Sequence, residues 1–393
     1  ASRSWQLTKP LRVLARFAYR IKWFAGNLIL SGPRAGLLAL SAKYSSISKL
    51  HAFYLNKKIK LLALAQSMAI SSNNLAALNE LSAQRFVLDV PSPTVADEIE
   101  WPEIDISVVA FNSSRWVCSF FESLIAQCYP LSKIHLRVID HGSADDTLLL
   151  FEGLLSTHGY KFASTQVIQQ KNLGFGAGHD RAIREGHSDY CLIVNLDLEF
   201  LPNSITQALH VALQDVGSCV ASWEFRQIPY EHPKYYDPIT LMTNWSSHAC
   251  VVLQRDAYLR CGGYDDAIFM YAEDVELSYR LRSFGYSVKY LPSAVVHHHS
   301  YASAGEVKPL QYIGSALGNA YVRLRYGSFM DRLAAITLYG RLFLHPSPFP
   351  GAKRLLLRNA FKLASKVPHF LRGKGAMAVS YPFHGYDYEL IRD

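Results

Sequence analysis

The chain has 393 residues, half of them apolar and 12% aromatic, with a formal net charge of +8. That composition excludes an intrinsically disordered chain and can supply one large domain with additions, or two to three domains. No uninterrupted apolar run reaches the roughly 18 to 20 residues of a bilayer-spanning helix, so no transmembrane helix is expected.

The charge is segregated. Residues 1–79 hold 12 Lys/Arg and no acid, and residues 310–375 hold 11 Lys/Arg and the single acid Asp331. Between them, residues 80–309 carry 16 basic against 28 acidic side chains, a net of −12. Basic flanks point to an anionic membrane surface or to adjacent domains of a longer polypeptide. The acidic centre and the lack of any recognised nucleic-acid motif argue against DNA or RNA. The six cysteines form no C-x-x-C pair, and several sit in apolar runs such as Cys191-Leu192-Ile193-Val194. Those in apolar runs read as small buried hydrophobes, and a reduced, cytoplasmic compartment is expected, with the basic flanks allowing peripheral attachment to a membrane. The chain starts at Ala1 with neither Met nor a signal peptide, and is expected to be a piece of a longer polypeptide.

In chain order, residues 1–88 predict a basic helical region: Leu11, Leu14, Phe17, Ala18 and Ile21 recur near period 3.6 among Arg12, Arg16, Arg20 and Lys22. Residues 89–103, with three prolines, predict a linker. Apolar strands are then expected at 104–110, 135–140, 165–168 and 190–196, separated by helices at 116–127, 145–157 and 176–186. Fully apolar strands alternating with helices predict an α/β domain over 104–305 with a mostly parallel sheet covered on both faces. Ligands of such sheets lie beyond the carboxyl ends of the strands, where Asn112, Asp140 and Asp197 fall. A further apolar strand at 290–296 runs into His297-His298-His299, and residues 306–393 predict a second basic helical region, interrupted at His345 to Pro350.

Four motifs carry chemistry. Asn195-Leu196-Asp197-Leu198-Glu199 puts two carboxylates at a strand end, hard oxygen ligands suited to Mg²⁺ or Mn²⁺. Lys171 to Asp180 contains Gly174, Gly176 and Gly178 opening a helix, a place where backbone can approach phosphate closely. It follows the third strand with the wrong spacing for a dinucleotide fingerprint, which disfavours a nicotinamide dehydrogenase. Phe269 to Leu277 leads an aromatic stretch into Glu273, Asp274 and Glu276, with a carboxylate general base beside aromatic walls as the chemical reading. On an extended strand His297 and His299 share a face and His298 takes the other, and any of the three could complete a metal site with Asp197.

Taken in order, these segments resemble glycosyltransferase family 2, the inverting GT-A fold enzymes that use nucleotide-sugar donors. The resemblance runs over roughly 104–300. It includes Ser107 to Asn112, Ile139 to Thr147, Asn172 to Asp180, Asn195-Leu196-Asp197, Gly262 to Leu277 and Pro292 to His297. It is nearest to the rhamnosyltransferase-like branch that builds bacterial polysaccharides. The resemblance implies a GT-A fold with a Rossmann-like, mostly parallel sheet and helical N- and C-terminal extensions. It implies sugar transfer from a nucleotide-diphosphate donor to a glycan or lipid-linked glycan acceptor, with galactofuranosyl or glucosyl transfer, or an inert glycan-binding module, as alternatives. Donor binding would fall to Phe111, Asn112, Asp140, Asn172, Gly174, Phe175, Gly176, Gly178 and Asn195. Asp197 and His297 would hold the divalent cation, and Asp274 would be the general base, its pKa raised by Phe269 and Tyr271. His248, Glu273, Tyr271 and His299 would line an acceptor or sugar pocket. The chain departs from the family pattern at Leu196, His141, Glu276 and His248, which bears on donor identity and leaves Asp197 and Asp274 in place.

Overall fold

The computed structural model describes residues 100–229, 236–299 and 308–373. The helical region expected at 1–88 and linker residues 89–99 lie outside the described residues. The first half of the fold alternates strand and helix: β1 (Ile104–Ala110), α1 (Ser114–Ile125), β2 (Ile134–Asp140), α2 (Thr147–His158), β3 (Ser164–Gln169), α3 (Phe175–Glu185) and β4 (Tyr190–Asn195). The second half is β5 (Leu198–Phe200), α4 (Ser204–Gln214), β6 (Val220–Ile228), β7 (Met242–Thr243), β8 (Cys250–Gln254), α5 (Arg255–Arg260), α6 (Glu273–Ser283) and β9 (Ser287–His298). Three helices follow: α7 (Pro309–Tyr326), α8 (Phe329–Leu344) and α9 (Ala352–Leu371).

The strands form one sheet in the order β3-β2-β1-β4-β8-β6-β9-β5, with β7 on β9. Strands β3, β2, β1 and β4 are mutually parallel, β8 runs antiparallel between β4 and β6, and β6 pairs parallel with β9. Side-chain alternation builds a core on each face. Leu192 and Val194 of β4 join Ile104, Ile106 and Val108, covered by Phe120, Phe121 and Leu124 of α1 and by Ile205 and Leu209 of α4. Cys191 and Ile193 face the other way, against Ile183 of α3, Tyr258 of α5 and Leu277 and Leu281 of α6. A strand buried on both faces is mostly apolar, which explains the run from Cys191 to Val194 in β4.

The C-terminal helices pack on the sheet domain through side chains that the sequence reads as a basic surface. Arg323 and Arg325 of α7 are 3% and 4% exposed. Asp331, the lone acid of that basic segment, closes a capping box with Ser328 at the start of α8.

Candidate active site

The loops after β1, β2, β3 and β4 open at one edge of the sheet. Asn112, in the left-handed region at φ 49°, ties the first loop to the second. Its backbone N–H donates to Ser143 Oγ (2.9 Å) and its Oδ1 accepts from the Ala144 N–H (2.8 Å). Phe111 beside it is 49% exposed. Asp140 behaves differently. It is 1% exposed, and its Oδ2 accepts from the N–H groups of Gly142 and Ser143, both at 3.1 Å. The carboxylate expected to meet a ribose is therefore engaged inside its own turn.

The glycine-rich loop is shaped by protein neighbours. Gly174 sits at φ +107°, a region that L side chains rarely adopt, and a Cβ there would run into the Phe269 carbonyl. Gly178 packs against His141 and Val109, so a Cβ would lie 2.7 Å from His141 Nε2. Asn172 Oδ1 accepts from the Gly174 N–H (3.1 Å), and the Phe175 N–H donates to the Phe269 carbonyl (3.0 Å). These contacts fasten the aromatic stretch before α6 onto the start of α3. Beneath them lies a buried polar chain: His248 Nε2 is 3.1 Å from Ser246 Oγ, its Nδ1 meets the Tyr264 hydroxyl, and His179 Nδ1 is 2.7 Å from Ser107 Oγ. His248, expected to line a sugar pocket, is 1% exposed and belongs to this layer. Burial lowers the pKa of His179, with His248 and His141 adding to the effect, so its imidazole is neutral at physiological pH.

Two non-glycine residues in left-handed conformation, Tyr271 (φ 68°) and Ala272 (φ 76°), deliver the chain into α6. Each such residue costs on the order of 1–3 kcal/mol and persists only where packing over-determines it. Here α7 does so: Gly314 sits against the Tyr271 ring, and a Cβ at 314 would collide with it. Asp274 then occupies the first turn of α6, where its Oδ1 accepts from the Val275 N–H (2.8 Å). Its neighbour Glu273 is 6% exposed and its Oε2 is buried with no hydrogen-bond partner among the described residues. Burial, reinforced by the charge of Asp274, pushes the Glu273 carboxyl up to about 8. The desolvation expected to raise a carboxyl pKa here thus acts on Glu273.

One turn further on, Glu276 is fully buried, its Oε2 2.6 Å from Arg280 and its Oε1 2.6 Å from Arg325 of α7. Arg325 also reaches Asp265 at 2.7 Å, and the Tyr326 hydroxyl donates to Glu276 Oε1 (2.9 Å). Asp265, Glu276 and Arg325 are all at 0% side-chain exposure, so α6 is pinned from behind by α7.

At the far side of the opening, Asp197 occupies the turn between β4 and β5. His298 Nε2 lies 3.4 Å from Asp197 Oδ1, and His298 Nδ1 is 2.7 Å from Gln227 Oε1. The imidazole seen beside Asp197 is thus that of His298, where sequence reasoning pointed to His297. The expected alternation does hold within the strand: His297 Nδ1 is 3.3 Å from His299 Nε2, and His299 reaches Glu199 at 2.9 Å while its ring stacks on Trp116. Asp197 lies one residue before the β5–β9 ladder, in which Leu198 faces His298 and Glu199 faces His297, and its carbonyl accepts from the His299 N–H (3.0 Å). Burial opposes ionisation of Asp197, but the His298 ring outweighs it and the carboxyl lies below its ordinary value. Among the described residues, Asp197 belongs to no group of three or more side-chain ligands within metal-binding reach of one another.

Residues 105–271 match the family model of glycosyl transferase family 2. An N-acetylglucosaminyl-diphospho-decaprenol L-rhamnosyltransferase of Mycobacterium tuberculosis is 34% identical over 110 residues, covering 28% of this chain and 36% of that protein. The chain thus spans about a third of the length of the first curated relatives it matches. Among solved structures, GalNAc-T7 with UDP, GalNAc and Mn²⁺ superposes with a TM-score of 0.50 at 12% identity, covering 70% of this chain and 57% of that one. The mannosyltransferase PcManGT from Pyrobaculum calidifontis covers 79% of this chain and 83% of its own, with a TM-score of 0.46 at 15% identity. The fold is that of GT-A proteins.

Proposed function

We propose that this chain, whose residues 105–271 match the family model of glycosyl transferase family 2, transfers a sugar from a nucleoside-diphosphate donor to a hydroxyl of a growing bacterial surface glycan. The reading takes the reaction as inverting and dependent on a divalent cation, with rhamnose as the first sugar to test because the Mycobacterium tuberculosis relative is named a rhamnosyltransferase. The observation that carries it is the approach of the Asp274 turn to the glycine-rich loop, through the Phe175–Phe269 hydrogen bond, at the edge where β4 presents Asp197.

Within this reading, Phe111 offers a face to the base, Asn112 and Asn195 flank the nucleoside, and the loop from Asn172 to Gly178 with the start of α3 receives the diphosphate, favoured by backbone N–H groups and the helix dipole. Asp197 and the neighbouring imidazole of His298 are oxygen and nitrogen donors that fit Mn²⁺ or Mg²⁺, the GalNAc-T7 structure holding Mn²⁺. An ion held there would offset charge on the departing diphosphate. Asp274 accepts the proton of the acceptor hydroxyl as its oxygen bonds to the anomeric carbon from the face opposite the diphosphate, whose bond to that carbon breaks. Glu273 beside it is a carboxyl whose pKa is raised by burial.

The acceptor is read as lipid-linked and the enzyme as peripheral on the inner face of the membrane. Helices α8 and α9 expose Phe329 (78%), Ile336 (65%) and Phe361 (73%) next to exposed Lys353, Arg354, Arg358 and Lys362. Apolar tips among cations suit an anionic interface. Incubation with a panel of nucleoside-diphosphate sugars, Mn²⁺ and an N-acetylglucosaminyl-diphospho-polyprenol acceptor tests the reading. Transfer from one donor with inverted anomeric configuration is expected; donor binding without turnover on any member points instead to an inert binding module.

A further inference from the structure

We infer that the opposite edge of the sheet carries a metal site of its own, a Zn²⁺ site formed by Glu103, His135 and His187. Each of these residues offers one ligand atom, and the three atoms lie within 4.8 Å of one another. They arrive from three separate segments that the fold brings side by side. Glu103 immediately precedes β1, His135 lies at the start of β2 opposite Asp105, and His187 lies in the connection leading to β4, the other neighbour of β1. Strand β1 is seven residues long. At about 3.3 Å per residue the cluster sits some ~20 Å from the loops of the candidate active site, so it is not part of that site.

The ligands are held in place before any ion arrives. His135 is 8% exposed, and its Nδ1 lies 2.7 Å from Ser164 Oγ, which leaves Nε2 as the nitrogen facing Glu103 Oε2 at 3.2 Å. A hydroxyl on the distal nitrogen is the kind of partner that fixes the ring of a ligating histidine. The His187 ring stands 4.5 Å from that of His135 at 65°. Its backbone is anchored by Asp105, whose Oδ2 accepts from the N–H groups of His187 (2.9 Å) and Ser188 (2.8 Å). Two imidazoles and one carboxylate make a borderline donor set that suits Zn²⁺ in tetrahedral geometry, with water in the fourth position. Glu103 is half exposed, which gives the ion a route in. A Zn²⁺ here links the amino ends of β1, β2 and β4 and stabilises the folded state by mass action.

The test uses the full chain after chelator treatment and dialysis, titrated with Zn²⁺ alone while thermal unfolding is followed, and with Co²⁺ as a visible-absorption probe of tetrahedral coordination. One equivalent of Zn²⁺ should raise Tm, and Co²⁺ should give tetrahedral bands. Both signals should vanish in His187→Ala and Glu103→Gln, which alter exposed side chains, and persist in Asp197→Ala. The proposal is overturned if wild type shows no saturable response, if both cluster variants keep it, or if Asp197→Ala alone loses it.

Discussion

Replacing Arg325 by alanine removes a cation shared by two buried carboxylates from different parts of the chain. Asp265 at 2.7 Å and Glu276 at 2.6 Å are both at 0% exposure, and the guanidinium also lies 4.5 Å over the Phe370 ring. After the substitution Glu276 keeps Arg280 and Tyr326, and Asp265 keeps His369 at the rim, so neither acid is stranded but both lose their strongest buried partner. Breaking a buried pair from one side costs about 3–5 kcal/mol. With each kcal/mol worth about 2–4 °C in a folded unit of this size, Tm should fall by roughly 6–20 °C. Arg325→Lys keeps the charge but cannot present a planar fork to two carboxylates, and should fall between wild type and alanine. Because α7 also braces the strained Tyr271–Ala272 turn, kcat should drop with little change in donor affinity. Circular-dichroism melting of the full chain reads the first effect, and turnover assays beside a donor-binding titration read the second. An alanine variant melting within about 2 °C of wild type would refute the idea that this buried bridge pins α6.

Asp274→Asn should lower kcat by about 10²–10⁴-fold, the usual contribution of a general base, with donor affinity retained in a binding titration; near wild-type turnover removes Asp274 from that role. Asp197→Ala should abolish the response of activity to added Mn²⁺, and a metal-response curve superimposing on wild type counts against the assignment. Glu273 titrates at about 8 in the folded chain against an ordinary 4.5. Between those values the folded state holds a proton that the unfolded state has released, so stability falls as pH rises, by up to about 1.4 kcal/mol per unit. Glu273→Gln should flatten that decline, measurable by urea denaturation at pH 5 to 8; an unchanged slope shows that Glu273 is not the group responsible. Ile336→Glu with Phe361→Glu should abolish co-flotation with anionic vesicles while sparing transfer to a soluble acceptor analogue, whereas unchanged flotation moves the membrane contact elsewhere.

Much of the first half of the fold was legible from pattern alone. Strands expected at 104–110, 135–140, 165–168 and 190–196 appear as Ile104–Ala110, Ile134–Asp140, Ser164–Gln169 and Tyr190–Asn195. Buried strands are dominated by apolar residues, and that bias is visible along the chain. The second half was harder to read. Strands β6 and β8 interleave antiparallel with parallel partners, so their order in the sheet follows from no local period. The partners of the charged side chains were not legible either. Asp140 turned into its own loop, and Arg323 and Arg325 went into the interior, because composition reports charge but not what faces it.

Taken by itself, the amino-acid sequence determined the elements and the chemistry-bearing segments, because hydrophobic period, glycine placement and acid clusters act over a few residues. Tertiary structure alone decided which of these side chains meet. His298 Nε2 comes within 3.4 Å of Asp197 Oδ1, and the Glu273 carboxyl has its pKa raised because burial falls on it. Glu276 finds Arg325 across 49 residues of chain, a pairing set by how α7 packs on α6. Distances and dielectric surroundings are properties of the packed fold, and it is they that choose among the residues the sequence offers.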